Sequence, residues 1–208
     1  MEQTAVRPVF RTRQEQLRNG GRGAVIGTAF GAMWFVLAQS AVHGAARPVV
    51  LGAGLLLFAA SAAAVVRLFV LARRTPATEK GAPVPPGGGG PKFLTVVLVE
   101  AVVLGVGNNY ARTSLHRPEL MLTWSALVVG AHFFPMARSL RAPMLRWVGA
   151  AMLATVGLAA LATLLPGATE DVWQSVPGIG CAAVLWAGAA FTGLRAGRGG
   201  GRRPRGGR

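Results

Sequence analysis

Apolar residues gather into six stretches of this chain, 23–42, 49–72, 93–110, 120–137, 144–165 and 172–194, each with at most one Asp, Glu, Lys or Arg. Each supplies the roughly 20 residues that a helix needs to cross about 30 Å of hydrocarbon. The pattern predicts an all-α, polytopic membrane helical bundle with six transmembrane helices. The segments between the stretches are polar, basic, or rich in glycine and proline. Residues 1–22 form a basic cytoplasmic N-terminal segment, in which Phe10, Gln14 and Leu17 suggest a short surface helix that Asn19-Gly20-Gly21 ends. Residues 73–92, with Pro76, Pro83, Pro85, Pro86, four successive glycines and Pro91, read as a flexible cytoplasmic linker without a packed core. The linker divides a two-helix part, 23–72, from a four-helix part, 93–194. Residues 195–208, almost all Gly and Arg, read as a disordered cytoplasmic tail.

The third stretch carries Glu100 in its first half and Asn108 and Asn109 near its far end. Hydrocarbon is a poor solvent for these groups, so neighbouring helices must cover them. The other stretches are therefore expected to pack around this one. The first stretch has a competing reading as a cleaved leader, because Ala38-Gln39-Ser40-Ala41 offers small residues. A retained span is preferred, since five similar stretches follow and the basic segment ahead of it is long.

Composition agrees with a lipid environment: 52% of the residues are hydrophobic and 14% charged, against about 25% charged in soluble domains. A net charge of +15 raises the question of nucleic acid. Its distribution answers it: the N-terminal segment, Arg67 with the second loop, the fourth loop and the tail hold 19 of the 22 Lys and Arg residues, and the alternate connections hold three. This asymmetry places both termini in the cytoplasm, with Trp147 and Phe93 at inner boundaries and Tyr110 and Trp173 at outer ones. The bilayer is thus the expected partner, and no nucleic-acid partner is expected. Cys181 is the only cysteine, so no disulfide forms within the chain.

Depth makes the intramembrane polar groups informative. The third helix runs outward and the second and fourth run inward, so Glu100, Arg67 and His132 each lie roughly 9–10 Å from the inner boundary at 1.5 Å per residue. Glu100, Gly107 and Ala111 share a helical face with Asn108 beside it, and Ser125 and His132 share another. A polar seam between the third and fourth helices follows. Two readings fit. In one, Arg67 snorkels or neutralises Glu100 and His132 bonds a carbonyl, so the layer is structural. In the other, Glu100, His132, Arg67 and Asn108 form an ion- or proton-binding site. Pro135 removes a backbone hydrogen bond beside His132 and is expected to kink its helix.

Gly23, Gly27 and Gly31, with Gly188/Thr192 and Ala189/Gly193, form small-residue stripes suited to close helix packing within the bundle or between two copies. Trp34 and Trp186 read as packing residues. The chain lacks HExxH, a Gly-rich phosphate loop with Lys, and GxSxG, and its three histidines are far apart in sequence. No metal, cofactor or catalytic residue is therefore assigned, and the protein is expected not to be an enzyme.

The segment Val128-Val129-Gly130-Ala131-His132-Phe133-Phe134-Pro135-Met136-Ala137 resembles one in small uncharacterised bacterial integral membrane proteins of the actinobacterial type. With the six apolar stretches the resemblance spans about residues 23–194. It implies a bacterial plasma membrane and no particular activity. The leading expectation for function is a non-enzymatic accessory or scaffold protein; the alternative is a small proton- or cation-coupled carrier or channel using Glu100 and His132.

Overall fold

The computed structural model describes residues 9–78, 80–84, 91–140 and 142–198. In chain order these form β1 (Val9–Thr12), α1 (Arg13–Gln39), α2 (Ala46–Arg74), β2 (Lys80–Val84), α3 (Pro91–Thr113), α4 (Leu120–Ser139), α5 (Met144–Ala162) and α6 (Val172–Arg198). All six helices contain a window long and apolar enough to cross a membrane. The protein is a multi-pass, six-helix integral membrane protein. Short connections make α1 and α2 neighbours, and likewise α3 and α4, α4 and α5, and α5 and α6, whereas α2 and α3, joined by the long second connection, do not pack together. The start of α1 meets the end of α6, where Arg13 Nη2 donates to the Ala196 carbonyl at 3.4 Å.

The centre of the bundle is α6, not α3 as the polar content of the third stretch led us to expect. α6 packs along α1, α2, α5 and α4, whereas the packing of α3 is carried by α4. One core cluster joins Trp34, Ala126, Met152, Cys181, Ala182 and Trp186. A second, nearer the inner side, joins Leu17, Ala24, Leu68, Ala72 and Ala189. α6 contributes to both and α3 to neither. Small residues bring the helices close: a Cβ at Gly178 would stand 2.4 Å from Ala38 Cβ, and one at Gly180 would stand 2.4 Å from the Thr155 side chain. Trp34 and Trp186 are buried as packing residues, and the Trp186 indole also donates to the Thr28 carbonyl at 3.1 Å.

The stripe on the first span serves this same packing in part. Gly27 faces the Leu185 carbonyl and Gly31 lies under the Trp186 ring, while a Cβ at Gly23 would meet nothing within 4 Å. On α6, Gly193 lies against Ala64. Since α1 and α2 pack on α6, the two-helix part is not separate from the four-helix part.

The ends of the chain depart from expectation in three places. Asn19-Gly20-Gly21 does not end a surface helix; α1 starts at Arg13 and runs through it. Thr12 caps α1 in a reciprocal box with Glu15, each side chain taking the other's backbone N–H. Gly21 is retained inside the helix because the Phe69 ring packs on it, 3.1 Å from where a Cβ would be. The linker is not wholly irregular: β2 pairs antiparallel with β1, Val9 opposite Val84 and Phe10 opposite Pro83. Pro83 is tolerated because a two-stranded ribbon has only edges. α6 continues past Leu194 to Arg198, with the Arg195 guanidinium 4.3 Å from the Phe191 ring centroid. The rest of the tail, residues 199–208, and the four successive linker glycines, 87–90, lie outside the described residues.

Candidate functional site

The polar groups of α3 and α4 meet across one helix interface. Glu100 and Asn108 of α3 and Ser125 and His132 of α4 turn toward each other, whereas Asn109, expected to be covered by a neighbouring helix, stays exposed. At the inner rung, Glu100 Oε2 lies 3.1 Å from His132 Nδ1, with 18% of the Glu100 side chain and 6% of the His132 side chain exposed. The contact is an ion-pair distance without hydrogen-bond alignment, and His132 Nδ1 has no other partner. The imidazole also meets the Phe133 ring edge-on at 6.3 Å between centroids. A carboxylate and an imidazole that hold one proton between them are net neutral, whichever of the two carries it. Net neutrality is the condition a hydrocarbon surround favours.

Two further rungs lie toward the outer side. Trp124 Nε1 donates to the Val103 carbonyl at 3.2 Å. The indole reaches it because position 107 is glycine: a Cβ there would stand 1.9 Å from Nε1. Asn108 Nδ2 donates to Ser125 Oγ at 3.2 Å, and the Ser125 hydroxyl faces Asn108 Oδ1 at 3.4 Å. Glu100 and Asn108 are about 12 Å apart along the axis. The predicted seam of Glu100, Gly107 and Asn108 against Ser125 and His132 is thus present, with Ala111 buried on the same face. The rest of α3 is bare: Leu94, Leu98, Val99, Val102, Val106 and Tyr110 are all exposed.

Arg67 does not join this layer. It is exposed on α2, which packs on α1 and α6, while Glu100 sits on α3 against α4. Residue spacing gives the three groups similar heights, but α2 packs on α1 and α6 while α3 packs on α4. Pro135 lies inside α4, which continues through it to Ser139. Two cavities of about 150 and about 420 Å³ are lined by residues such as Phe35, Gly54 and Trp186, and Val42, Thr155 and Ser175, and neither reaches Glu100 or His132. Among the described residues no three His, Cys, Asp or Glu side chains converge as a metal site would require.

Sequence reasoning missed the polar ring that ties the outer loops together. Arg117 Nε bonds Glu119 at 2.7 Å, and its Nη2 bonds Glu170 at 2.5 Å. His43 Nδ1 stands 3.7 Å from Asp171. Gln174 Nε2 donates to the Leu37 carbonyl at 2.8 Å and to Ser40 Oγ at 3.3 Å, and Thr123 donates to the Trp173 carbonyl. The hydrogen bond to Glu119, followed by the charge of Glu170, raises Arg117 above its usual value. Burial works to raise Glu119, but the hydrogen bond from Arg117, a backbone hydrogen bond and the Arg117 charge together outweigh it and hold the carboxyl below its usual range. The available signal was the gathering of Glu119, Glu170 and Asp171 in connections otherwise poor in charge.

No protein-family model matches the chain, and no curated protein or solved structure matches it.

Proposed function

We propose that this multi-pass membrane protein is a non-enzymatic accessory or scaffold protein of a bacterial plasma membrane, in which the Glu100–His132 pair is the clasp that fixes α3 to the bundle. The observation that carries this reading is the closure of Glu100 on His132 across the one substantial interface α3 makes. Without the polar rungs, α3 would be an apolar helix touching one neighbour, with nothing to set its rotation or depth. In lipid, where apolar burial gives no net driving force between helices, polar contacts and close packing decide such registers. The absence of catalytic motifs from the sequence accords with a structural role.

A second reading, a proton- or cation-coupled carrier, draws on two features of the same pair. Glu100 keeps some exposure, and His132 Nδ1 lacks an aligned hydrogen bond. Glu100→Gln, studied twice on one preparation, separates the two. The scaffold reading expects lower thermal stability in detergent and no proton flux above empty proteoliposomes for either protein. A wild-type flux that the variant abolishes, at unchanged stability, would overturn it in favour of the carrier.

A further inference from the structure

We propose that Arg67 and Arg74 together bind the phosphate of an anionic phospholipid in the inner leaflet. Both are exposed on α2 and are seven residues apart, so they lie on one flank of the helix. The packed stripe of α2 is Gly54, Ser61, Ala64, Leu68 and Ala72, roughly 100° round the helix from that flank. Around the arginines, Val66 is 62% exposed and Val70 39%. This flank therefore faces acyl chains, and Arg67 sits among them, about 10 Å farther into the membrane than Arg74.

A guanidinium at that depth is strongly disfavoured without a counter-charge. The protein offers none among its described residues. Glu100 is taken by His132, and Glu15 caps α1. Glu119 and Glu170 bind Arg117, and Asp171 stands by His43, all in the outer loops. Glu2 and Glu79 complete the seven acidic residues and lie outside the described residues. Among the described residues Arg67 and Arg74 have no ion pair, hydrogen bond or ring contact. With no described carboxylate left to pair with them, a lipid phosphate is the counter-charge assigned to the two arginines.

Helix geometry says how. Cα–Cβ bonds lean toward a helix N-terminus, and α2 runs from the outer side to the inner. Arg67 thus leans away from the headgroups and has to fold back to approach them. Arg74, at the boundary, leans inward toward Arg67. The two long stems converge on a level between their Cα atoms, where one phosphate drawn slightly into the membrane accepts from both forks. Arg73 is adjacent in sequence, but the 100° step carries it to a different flank.

The full chain, purified in detergent without added lipid, is titrated with phosphatidylglycerol, phosphatidylcholine or inorganic phosphate. Bound lipid is counted by native mass spectrometry and the melting temperature is followed in parallel. Phosphatidylglycerol is expected to bind more tightly than phosphatidylcholine and to raise the melting temperature. R67Q and R74Q should each weaken phosphatidylglycerol binding about fivefold, R67K should restore part of the loss, and R146Q, at the inner end of α5, should change nothing. Equal binding of the two lipids would overturn the proposal. So would an equal loss in R146Q, which would mean diffuse charge, or stabilisation by inorganic phosphate matching that by lipid. Because Arg67 and Arg74 are exposed, their variants are expected to fold, and binding unchanged in both would also overturn it.

Discussion

Gly149 of α5 lies so close to Gly130 of α4 that a Cβ on residue 149 would stand 2.6 Å from the Gly130 carbonyl oxygen and 2.9 Å from Phe133 Cβ. Neither obstacle is the free end of a flexible side chain, so the helices would have to part. Gly149→Ala is expected to lower stability by about 1–3 kcal/mol, the usual range for overpacking. Gly157, two turns along the same helix, has nothing within 4 Å. Gly157→Ala should be neutral or stabilising by up to about 1 kcal/mol, through helix propensity alone. Melting curves of the two variants in one detergent check the pair, and a Gly149→Ala protein as stable as wild type would mean that this crossing is looser than described.

If Glu100 and His132 hold α3 in register, they should be energetically coupled. His132→Leu leaves a carboxylate without its partner and is expected to cost about 1–3 kcal/mol. That is less than a fully buried pair would lose, because Glu100 remains 18% exposed. Glu100→Gln keeps a polar group beside the imidazole and should cost less. A double-mutant cycle read by denaturing-detergent titration should give a coupling of about 0.5–3 kcal/mol. Additive effects would show that the two groups are neighbours without being a clasp.

The seam was legible in the sequence because lipid penalises every polar atom it touches. Glu100, Asn108, Ser125 and His132 therefore had to point inward, and helical spacing sorted them onto two faces. What hydropathy does not carry is azimuth. Arg67 matched Glu100 in height, and height alone cannot say that α2 packs on α1 and α6 while α3 packs on α4. The central place of α6 was hidden for a related reason. In a membrane, the buried and lipid-facing sides of a helix are both apolar, so charge content does not rank helices by burial. The helix through Asn19-Gly20-Gly21 shows tertiary contact overriding a local breaker, since Gly21 is where Phe69 packs. The pairing of Val9 with Val84 joins residues far apart in the chain, and neither segment alternates strongly enough to announce it.

Topology can be checked independently of any site. The outer ring joins the three connections that hold few basic residues, through His43 with Asp171 and Arg117 with Glu170. Reporter fusions at Gly44 and Ala168 should therefore read as external, and one at Gly88, in the basic linker, as internal. An internal signal at Ala168 would break the six-span arrangement.

The outer ring also gives the protein an acid-sensitive element whose sign can be worked out. Glu119 is held below its ordinary value of 4.5 by Arg117. A carboxyl depressed in the folded state contributes stability that is complete above its unfolded value and is lost as pH falls through the folded one. The contribution from Glu119 should thus be constant near neutrality and decay below about pH 4.5. The difference between two proteins is the informative quantity. Melting temperatures of wild type and Glu119→Gln, taken in detergent from about pH 7 to about pH 3, should converge as the medium is acidified. The variant should melt lower near neutrality, where it lacks the charged partner of Arg117, and should lose less on acidification. If the gap between the two curves stays constant across the range, Arg117 does not stabilise the ionised form of Glu119. The loops would then be held by Glu170 and by the Gln174 side-chain amide on the Leu37 carbonyl and Ser40 Oγ.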